Sequence, residues 1–228
     1  MLVHIVGVLT QEQAASCRSA LTSARWLDGR TSAGRAAATV KQNDEVDLTD
    51  PAARHWSETI LRALGANKTF MVNAWPAKIC PPSFNRYSKG QRYGTHNDAA
   101  LFDFVQLNGR VWVRGDLSAT LFLSAPEDYD GGELVIEDDF GIQRVKLAAG
   151  DLVLYPSSSQ HRVEPVTRGE RIACFLWMQS LVRDAQHRRL LHDLDDCIME
   201  LGQQKPDIPA AQRLVGIYHN LLRLWSDA

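Results

Sequence analysis

The 228-residue sequence has no C-x-x-C pair, no long apolar run and no large excess of charge of one sign. Its four cysteines, Cys17, Cys80, Cys174 and Cys197, are widely separated. This spacing argues against a thiolate zinc site and against a disulfide framework, and it predicts a reducing, cytoplasmic location. The formal net charge of −2 argues against nucleic acid or an anionic membrane as a partner, because both favour a basic surface.

The first residues also lack the marks of a targeting segment. The stretch "LVHIVGVLT" has no basic flank and is soon interrupted by polar residues, so we expect neither a signal peptide nor a membrane span. The composition, 45% hydrophobic and 23% charged, is ordinary for a globular protein. The length suits one domain with an appended module, and it suffices to bury a core without disulfides.

The first third of the chain is predicted to be rich in helix. A short strand should precede a helix that begins after Thr10, a residue type favoured at helix N-termini. A second helix is predicted from Pro51 to Leu64, since proline is tolerated in the first turn. Residues 28–47 are rich in glycine, alanine and polar residues, so we expect a loop with at most a short strand.

The middle of the chain has the pattern of an antiparallel β core. Short apolar runs are separated by Gly, Pro, Asp and Ser at intervals of about ten residues, which is typical of a sandwich, a jelly roll or a barrel. The runs "LSATLFLS" and "RIACFLWM" are almost wholly apolar and are predicted to be central strands. After Ser180 the spacing becomes helical, with an apolar series through Leu190, Leu194 and Ile198. The interruption "KPDIP" then predicts a helical hairpin.

A candidate metal site stands in the stretch "RYGTHNDAAL". His96 and Asp98 are two residues apart, so at a strand end their side chains point the same way. A redox-active iron(II) site needs two imidazoles and one carboxylate on one face of the metal, which leaves three positions open. His161, after the aliphatic run "GDLVLYPSSSQ", is the candidate third ligand, supplied by a distant strand.

Arg171 opens the apolar strand that follows His161. A buried guanidinium is costly unless it meets an anion, and its planar geometry matches a carboxylate. The sequence therefore predicts that Arg171 binds the far end of a dicarboxylate.

Other interpretations of these residues remain open at this point. A single H-x-D arises by chance in many proteins, His161 could be a surface residue beside Arg162, and Arg171 could be a charge at a strand edge. The order of the residues and their β-rich context favour metal binding. Two rival functions use the same three ligands: a zinc hydrolase, and an iron-binding jelly-roll protein with a regulatory rather than catalytic role.

Longer stretches of the sequence resemble a known family. The segments "FNRYSKGQRYGTHND", "YDGGELVI", "YPSSSQHRVEPVTRGER" and "YHNLLRLWS" resemble the PKHD-type hydroxylases of bacteria, which are iron(II)- and 2-oxoglutarate-dependent dioxygenases of the prolyl 4-hydroxylase-like branch. The resemblance implies an α+β fold with a double-stranded β-helix (jelly-roll) core. It implies a dioxygenase domain over residues 1–180, with N-terminal helices over 1–75 packed on a β core over 76–180. Residues 181–228 would be a C-terminal helical extension.

The resemblance also implies roles for particular residues. His96, Asp98 and His161 would be the iron ligands, and Arg171 would bind the distal carboxylate of 2-oxoglutarate. Tyr87 matches a tyrosine that hydrogen-bonds this co-substrate in related hydroxylases.

The match around this co-substrate leaves an alternative and one departure. Tyr93 lies close to Tyr87 in the sequence and is the alternative for the same role. Some relatives carry a further tyrosine on the strand that here reads "SATLFLS", where this sequence has Thr120 and Leu121.

The implied activity couples oxidative decarboxylation of 2-oxoglutarate to succinate and CO2 with hydroxylation of a small-molecule or peptidyl substrate. Fe(2+) and O2 would be required, with L-ascorbate as a reductant, and the family is linked to iron homeostasis. We expect residues 28–47 and 99–115 to be lids over the site. The C-terminal helices are expected to pack on the outside of the β core. The alternative is a subunit contact in a homo-oligomer, for which Tyr218 and Trp225 are typical interface anchors.

Overall fold

The computed structural model describes residues 2–106, 109–138, 141–204 and 209–227. Its N-terminal third confirms the prediction of a helix-rich region, with a capping box at Thr10 and proline in the first turn of the second long helix. The elements of this part are β1 (Val3–Ile5), α1 (Gln11–Leu21), β2 (Trp26–Asp28), α2 (Arg35–Ala38), β3 (Lys41–Gln42), β4 (Asp44–Val46), α3 (Pro51–Ala66) and α4 (Lys68–Ala74).

The middle of the chain is made of short strands. They are β5 (Pro76–Ile79), β6 (Ser83–Tyr87), β7 (Arg92–His96), β8 (Leu101–Gln106), β9 (Gly109–Arg114), β10 (Leu117–Phe122), β11 (Tyr129–Gly131), β12 (Leu134–Asp138), β13 (Gly141–Val145), β14 (Leu152–Pro156), β15 (Gln160–Val163), β16 (Val166–Gly169) and β17 (Arg171–Ser180). The C-terminal helices are α5 (Ala185–Gln204) and α6 (Pro209–Trp225). Most of the predicted "KPDIP" interruption lies outside the described residues.

The strands form two main antiparallel sheets that pack on each other. The larger has the order β1-β14-β10-β17-β6-β4-β2, with β5 also paired to β17, and the smaller has the order β13-β12-β15-β7-β3. The two apolar runs predicted as central strands, β10 and β17, pair with each other inside the larger sheet. Tyr87 and Phe122 of the larger sheet share a buried cluster with Leu134, Ile136 and Val163 of the smaller one.

The helices cover the opposite face of the larger sheet. Residues of α1, α3 and α4, among them Cys17, Leu21, Ile60, Leu64 and Phe70, are fully buried in one cluster with strand residues such as Leu121 and Leu154. The observed architecture is therefore an antiparallel sheet-rich core with helices packed on it. This agrees with the predicted α+β class.

Residues 28–47 differ from the predicted loop. They contain a 3₁₀ helix, the short helix α2 and the strands β3 and β4. Strand β4 pairs with β2 and β6 of the larger sheet, whereas β3 pairs with β7 of the smaller one, so the segment crosses between the sheets. The prediction missed these strands because two or three residues show no alternation, and their partners are distant in sequence.

Residues 99–115 also contain regular structure. Strands β8 and β9 pair antiparallel as a separate two-stranded sheet, in which Phe102 lies opposite Val113. Phe102 stacks on Trp177 of β17, with the ring centroids 4.3 Å apart. The outward residues Leu101, Val105 and Trp112 are 59%, 78% and 53% exposed, and they share the outer face of this hairpin with the Arg110–Asp103 ion pair.

The C-terminal helices pack against each other and against Trp75. Their buried cluster contains Val182, Leu191 and Tyr218, with Trp225 partly buried beside them. Tyr218 and Trp225, considered as subunit anchors, therefore pack within the chain. The packed face runs through Leu191 rather than the predicted Leu190, which is 54% exposed.

Candidate metal centre and active site

The structure brings His96, Asp98 and His161 together between the two sheets. His96 ends β7 and His161 lies on β15, and the two are direct partners in the strand pairing. One ligand atom from each of the three residues lies within 4.8 Å of the others. The Nε2 atom of His161 is 3.7 Å from the Asp98 carboxylate. The third residue comes from the neighbouring strand, distant in sequence but adjacent in space.

Both histidines are oriented for metal binding through Nε2. The Nδ1 atom of His96 is 2.9 Å from the carbonyl oxygen of Gly94, and that of His161 is 3.1 Å from the carbonyl oxygen of Ser159. A proton on Nδ1 satisfies each carbonyl and leaves Nε2 as a lone-pair donor. Burial, with the neighbouring His161, lowers the pKa of His96 to about 4, so its imidazole is neutral at pH 7.

The carboxylate of Asp98 is held by a residue that the sequence analysis missed. The Ser118 hydroxyl on β10 donates to Asp98 Oδ2 over 2.5 Å, and it lies 2.7 Å from the Ser157 hydroxyl. Ser118 is 1% exposed within a strand whose only other polar side chain is Thr120, and this polar residue in an apolar run was the available signal. Asn97, between the two ligands, donates instead to the carbonyl oxygen of Ser158, over 2.6 Å.

Arg171 is a buried cation with few polar contacts. The residue is 1% exposed, and its Nη1 atom reaches Asn85 Oδ1 only at 3.5 Å. Its Nε atom has no hydrogen-bond partner among the residues that the structure describes. The guanidinium carbon lies 5.4 Å from the Tyr87 ring and 5.3 Å from the Phe122 ring. A buried guanidinium with an unused donor can bind a carboxylate, because an unpaired buried charge is costly and a carboxylate would compensate it.

The two tyrosines singled out from the sequence occupy different places. Tyr87 lies directly opposite Arg171 in the pairing of β6 and β17 and is 1% exposed. Burial raises the pKa of its phenol, which therefore stays protonated and can donate a hydrogen bond. Tyr93 instead stacks on His96, with ring centroids 3.6 Å apart and planes 17° apart.

One cavity of about 560 Å³ joins these residues. Arg171 and Tyr87 line it together with the three candidate metal ligands, and Tyr155, which the sequence analysis did not identify, forms part of its wall. The Tyr155 ring meets the His161 ring edge-on at 5.2 Å. The volume is within the usual range for a small-molecule site.

Both segments expected to be lids contribute to this cavity. Residues 32–37 and Val40, Lys41 and Glu45 line one side, and Ala99 and Phe102 line another. Lys41 is 5% exposed, donates to Ser32 and pairs with Glu45 across the two sheets. Its ammonium also lies 5.2 Å from the centre of the Tyr93 ring. Residues on short irregular elements therefore complete a wall that the strands leave open.

Sequence comparisons identify relatives along the whole chain. Residues 82–179 match the 2OG-Fe(II) oxygenase superfamily, and residues 184–227 match the PKHD-type hydroxylase C-terminal domain. A PKHD-type hydroxylase of Methylobacillus flagellatus is 50% identical over 229 residues, covering all of both chains. The chain belongs to the PKHD-type hydroxylase family. Another member, from Pseudomonas aeruginosa, is 49% identical over 227 residues, again covering all of both chains.

Solved structures with a similar fold are more distant in sequence. A prolyl-4-hydroxylase of Pseudomonas putida is 21% identical, with a TM-score of 0.52 over 78% of this chain and 92% of that chain. HygX from Streptomyces hygroscopicus, solved with nickel, 2-oxoglutarate and hygromycin B bound, is 16% identical, with a TM-score of 0.53 over 78% of this chain and 82% of that chain. At this identity the likeness concerns the fold alone.

Family membership confirms the predicted class of activity. The chain is a 2-oxoglutarate-dependent dioxygenase, with Fe(2+) as its metal and 2-oxoglutarate as its co-substrate. The donor set fits this chemistry, because two neutral imidazoles and one carboxylate suit Fe(II), and the unused Nε of Arg171 suits a carboxylate. Among the described residues no helix is long and apolar enough to cross a membrane.

Proposed function

We propose that the chain hydroxylates its substrate at an iron held by His96, Asp98 and His161, with 2-oxoglutarate held by Arg171 and Tyr87. The observation that carries this proposal is the single cavity lined by all five residues. One part of the cavity carries the three candidate metal ligands, and the other part carries the buried guanidinium of Arg171 with its unused donor. That combination suits a metal-chelating dicarboxylate better than a hydrolytic water alone.

Each protein group has a defined task in this reaction. When bound, the iron supplies the oxidising chemistry: O2 is divided between succinate and the substrate, and 2-oxoglutarate loses CO2. Arg171 neutralises the distal carboxylate of 2-oxoglutarate, and this fixes how far the 2-oxo acid end of the co-substrate reaches toward the metal. The Tyr87 phenol donates a hydrogen bond beside it. Ser118 holds the Asp98 carboxylate in place, and the enclosing sheets exclude water.

We also propose finer features of the architecture. The two packed sheets are taken as a double-stranded β-helix, or jelly roll, within a dioxygenase domain of residues 1–180. Residues 181–228 form a helical extension. The exposed apolar side chains of α6, Val215, Ile217 and Leu224, support a homo-oligomer formed through these helices, since each is at least 38% exposed.

The substrate is proposed to be a small molecule or a peptidyl group bound at the cavity mouth. The aromatic pair Phe102 and Trp177 on one side, and Arg35 on the other, support a substrate with both apolar and polar parts. The four cysteines are free thiols, which supports a cytoplasmic location. A role in iron homeostasis and a use of ascorbate are carried over from the resemblance to the family.

Succinate formation under air tests this function. The Fe(II)-loaded protein is incubated with 2-oxoglutarate and panels of small molecules and peptides, siderophore-like molecules and prolyl peptides included, and succinate is measured. We expect turnover that Asp98→Ala abolishes, whereas Asp193→Ala, which removes an exposed carboxylate on α5, leaves it unchanged. Tight iron binding without succinate under every condition would contradict the proposal and favour a regulatory iron-binding protein.

A further inference from the structure

A second tyrosine hydroxyl lies close to Arg171 without a partner of its own. Tyr129 is fully buried, and within the described part of the chain its hydroxyl makes no hydrogen bond. The unused Nε of Arg171 belongs to the same buried region. Two unsatisfied polar groups in one buried region are unusual, because nearly all buried polar atoms in proteins have a partner. Neither the iron ligands nor Tyr87 accounts for the Tyr129 hydroxyl.

The strand pairing brings Tyr129 close to Arg171, whose side chain lines the cavity. Tyr129 pairs with Gly169, two residues before Arg171. A Cβ atom at Gly169, where φ is +71°, would lie 2.0 Å from the carbonyl oxygen of Asp128. Only glycine therefore allows this close approach of β11. The Tyr129 ring packs in one cluster with Tyr87 and Phe122, the two rings that flank the guanidinium.

The residue of strand β10 that lies beside the Arg171 guanidinium has no hydroxyl group. The residue of β10 that faces Arg171 is Phe122, which cannot donate a hydrogen bond. Leu121 points into the helix-covered core on the other face. Thr120, two residues before Phe122, lies nearer the metal ligands and pairs with Phe175 of β17. A tyrosine found on this strand in some relatives is thus absent here, and the Tyr129 hydroxyl is the unused donor close to that place.

The phenol of Tyr129 is suited to donate rather than accept. Burial raises its pKa, and the nearby Arg171 charge only partly opposes this shift. The phenol is therefore protonated at neutral pH. Its ring is held from the other side by Lys146, whose ammonium lies 4.0 Å from the ring centre and donates to the Tyr129 carbonyl oxygen over 2.7 Å.

We propose that Tyr129 is a co-substrate-binding residue that donates a hydrogen bond to the distal carboxylate of 2-oxoglutarate, alongside Arg171. This inference rests on the proposed function, because it assumes that Arg171 receives that carboxylate. Tyr87, Arg171 and Tyr129 then surround the carboxylate from three strands, β6, β17 and β11. The anchor selects for a 2-oxo acid that carries a second carboxylate.

The test compares two 2-oxo acids in direct binding rather than in turnover. Fe(II)-loaded wild-type and Tyr129→Phe proteins are titrated without oxygen with 2-oxoglutarate and with 2-oxobutyrate, which lacks the distal carboxylate, and the visible charge-transfer band is followed. Phenylalanine keeps the ring and its packing. We expect Tyr129→Phe to weaken 2-oxoglutarate binding by about tenfold or more, as loss of a hydrogen bond to a charged group implies. Binding of 2-oxobutyrate should change by less than about twofold, because no contact to it is lost.

The outcomes separate this assignment from its alternatives. Tyr218→Phe, a buried tyrosine in the C-terminal helices, should leave both titrations unchanged. Equal weakening for the two acids would show a general packing role and overturn the assignment, and so would unchanged binding of 2-oxoglutarate. Failure of the wild-type protein to give the band with 2-oxoglutarate would instead refute the proposed function, and the assignment would fall with it.

Discussion

Replacement of Arg171 by methionine should weaken the binding of 2-oxoglutarate and raise the stability of the protein without it. The guanidinium is 1% exposed, has one long hydrogen bond and has an unused Nε donor. In the protein without 2-oxoglutarate this cation has no counter-charge among the described residues. Methionine has a similar length and suits the rings of Tyr87 and Phe122 that flank the site. The variant should therefore be more stable than the wild type when no co-substrate is bound.

The expected size is scaled from replacements of buried ion pairs by apolar residues, which stabilise proteins by about 1–4 kcal/mol where they are not neutral. We expect about 1 kcal/mol, at the low end of that range, because water in the cavity can solvate part of the guanidinium. In a protein of this length that gain raises Tm by about 2–4 °C. Saturation with 2-oxoglutarate at about one hundred times its Kd should stabilise the wild type by about 2.7 kcal/mol and the variant hardly at all.

Thermal unfolding with and without 2-oxoglutarate, in the presence of an inert divalent metal such as Ni(II), measures both effects. The order of the two Tm values should reverse when the co-substrate is added. Arg162→Met is the matched control, because Arg162 already pairs with Glu137 and Glu164. It should lose stability and keep its response to 2-oxoglutarate. An Arg171→Met protein that is clearly less stable than the wild type without co-substrate, or that still responds to it fully, would refute the reasoning.

Three further changes test the metal centre. Ser118→Ala removes the hydrogen bond to Asp98 and should weaken Fe(II) binding by about 10–100-fold in competition with a chelator; unchanged affinity would exclude this support. Tyr93→Leu removes the ring stacked on His96 and should weaken metal binding, whereas Tyr93→Phe should preserve it; equal effects would contradict a role for the ring. Because the pKa of His96 is lowered from 6.5 to about 4 in the folded state, the unfolded chain takes up its proton first as the pH falls. The metal-free protein should therefore lose stability from about pH 6.5 down to about pH 4, and His96→Gln should flatten that slope in denaturant titrations; an unchanged slope would contradict the shift.

The sequence predicted which side chains lie together at the site better than it predicted the structural elements around them. His96 and Asp98 were identified from their spacing, and His161 and Arg171 from their positions beside apolar strands, because those patterns are local. Ser118 could not be assigned to Asp98 from the sequence, since the contact joins residues from different strands. In the fold, too, local patterns were predicted and contacts between distant segments were not.

Elements with a strong local pattern were predicted with nearly correct ends, such as the helix after Thr10 and the central strands β10 and β17. The crossing segment with β3 and β4 was not, because strands of two or three residues are stabilised by distant partners. The C-terminal hairpin was predicted as helices, yet Leu190 faces solvent and Leu191 is buried. Helical spacing alone does not decide which of two adjacent apolar residues packs inward.

The central claim is that one cavity, with its metal ligands and Arg171, carries out a dioxygenase reaction. The mass of succinate formed under oxygen-18 gas tests it most directly. Succinate made by the Fe(II)-loaded wild-type protein should carry one heavy oxygen atom, and the Asp98→Ala and Arg171→Met proteins should form almost no succinate. Succinate without the heavy atom, or undiminished formation by both variants, would contradict it.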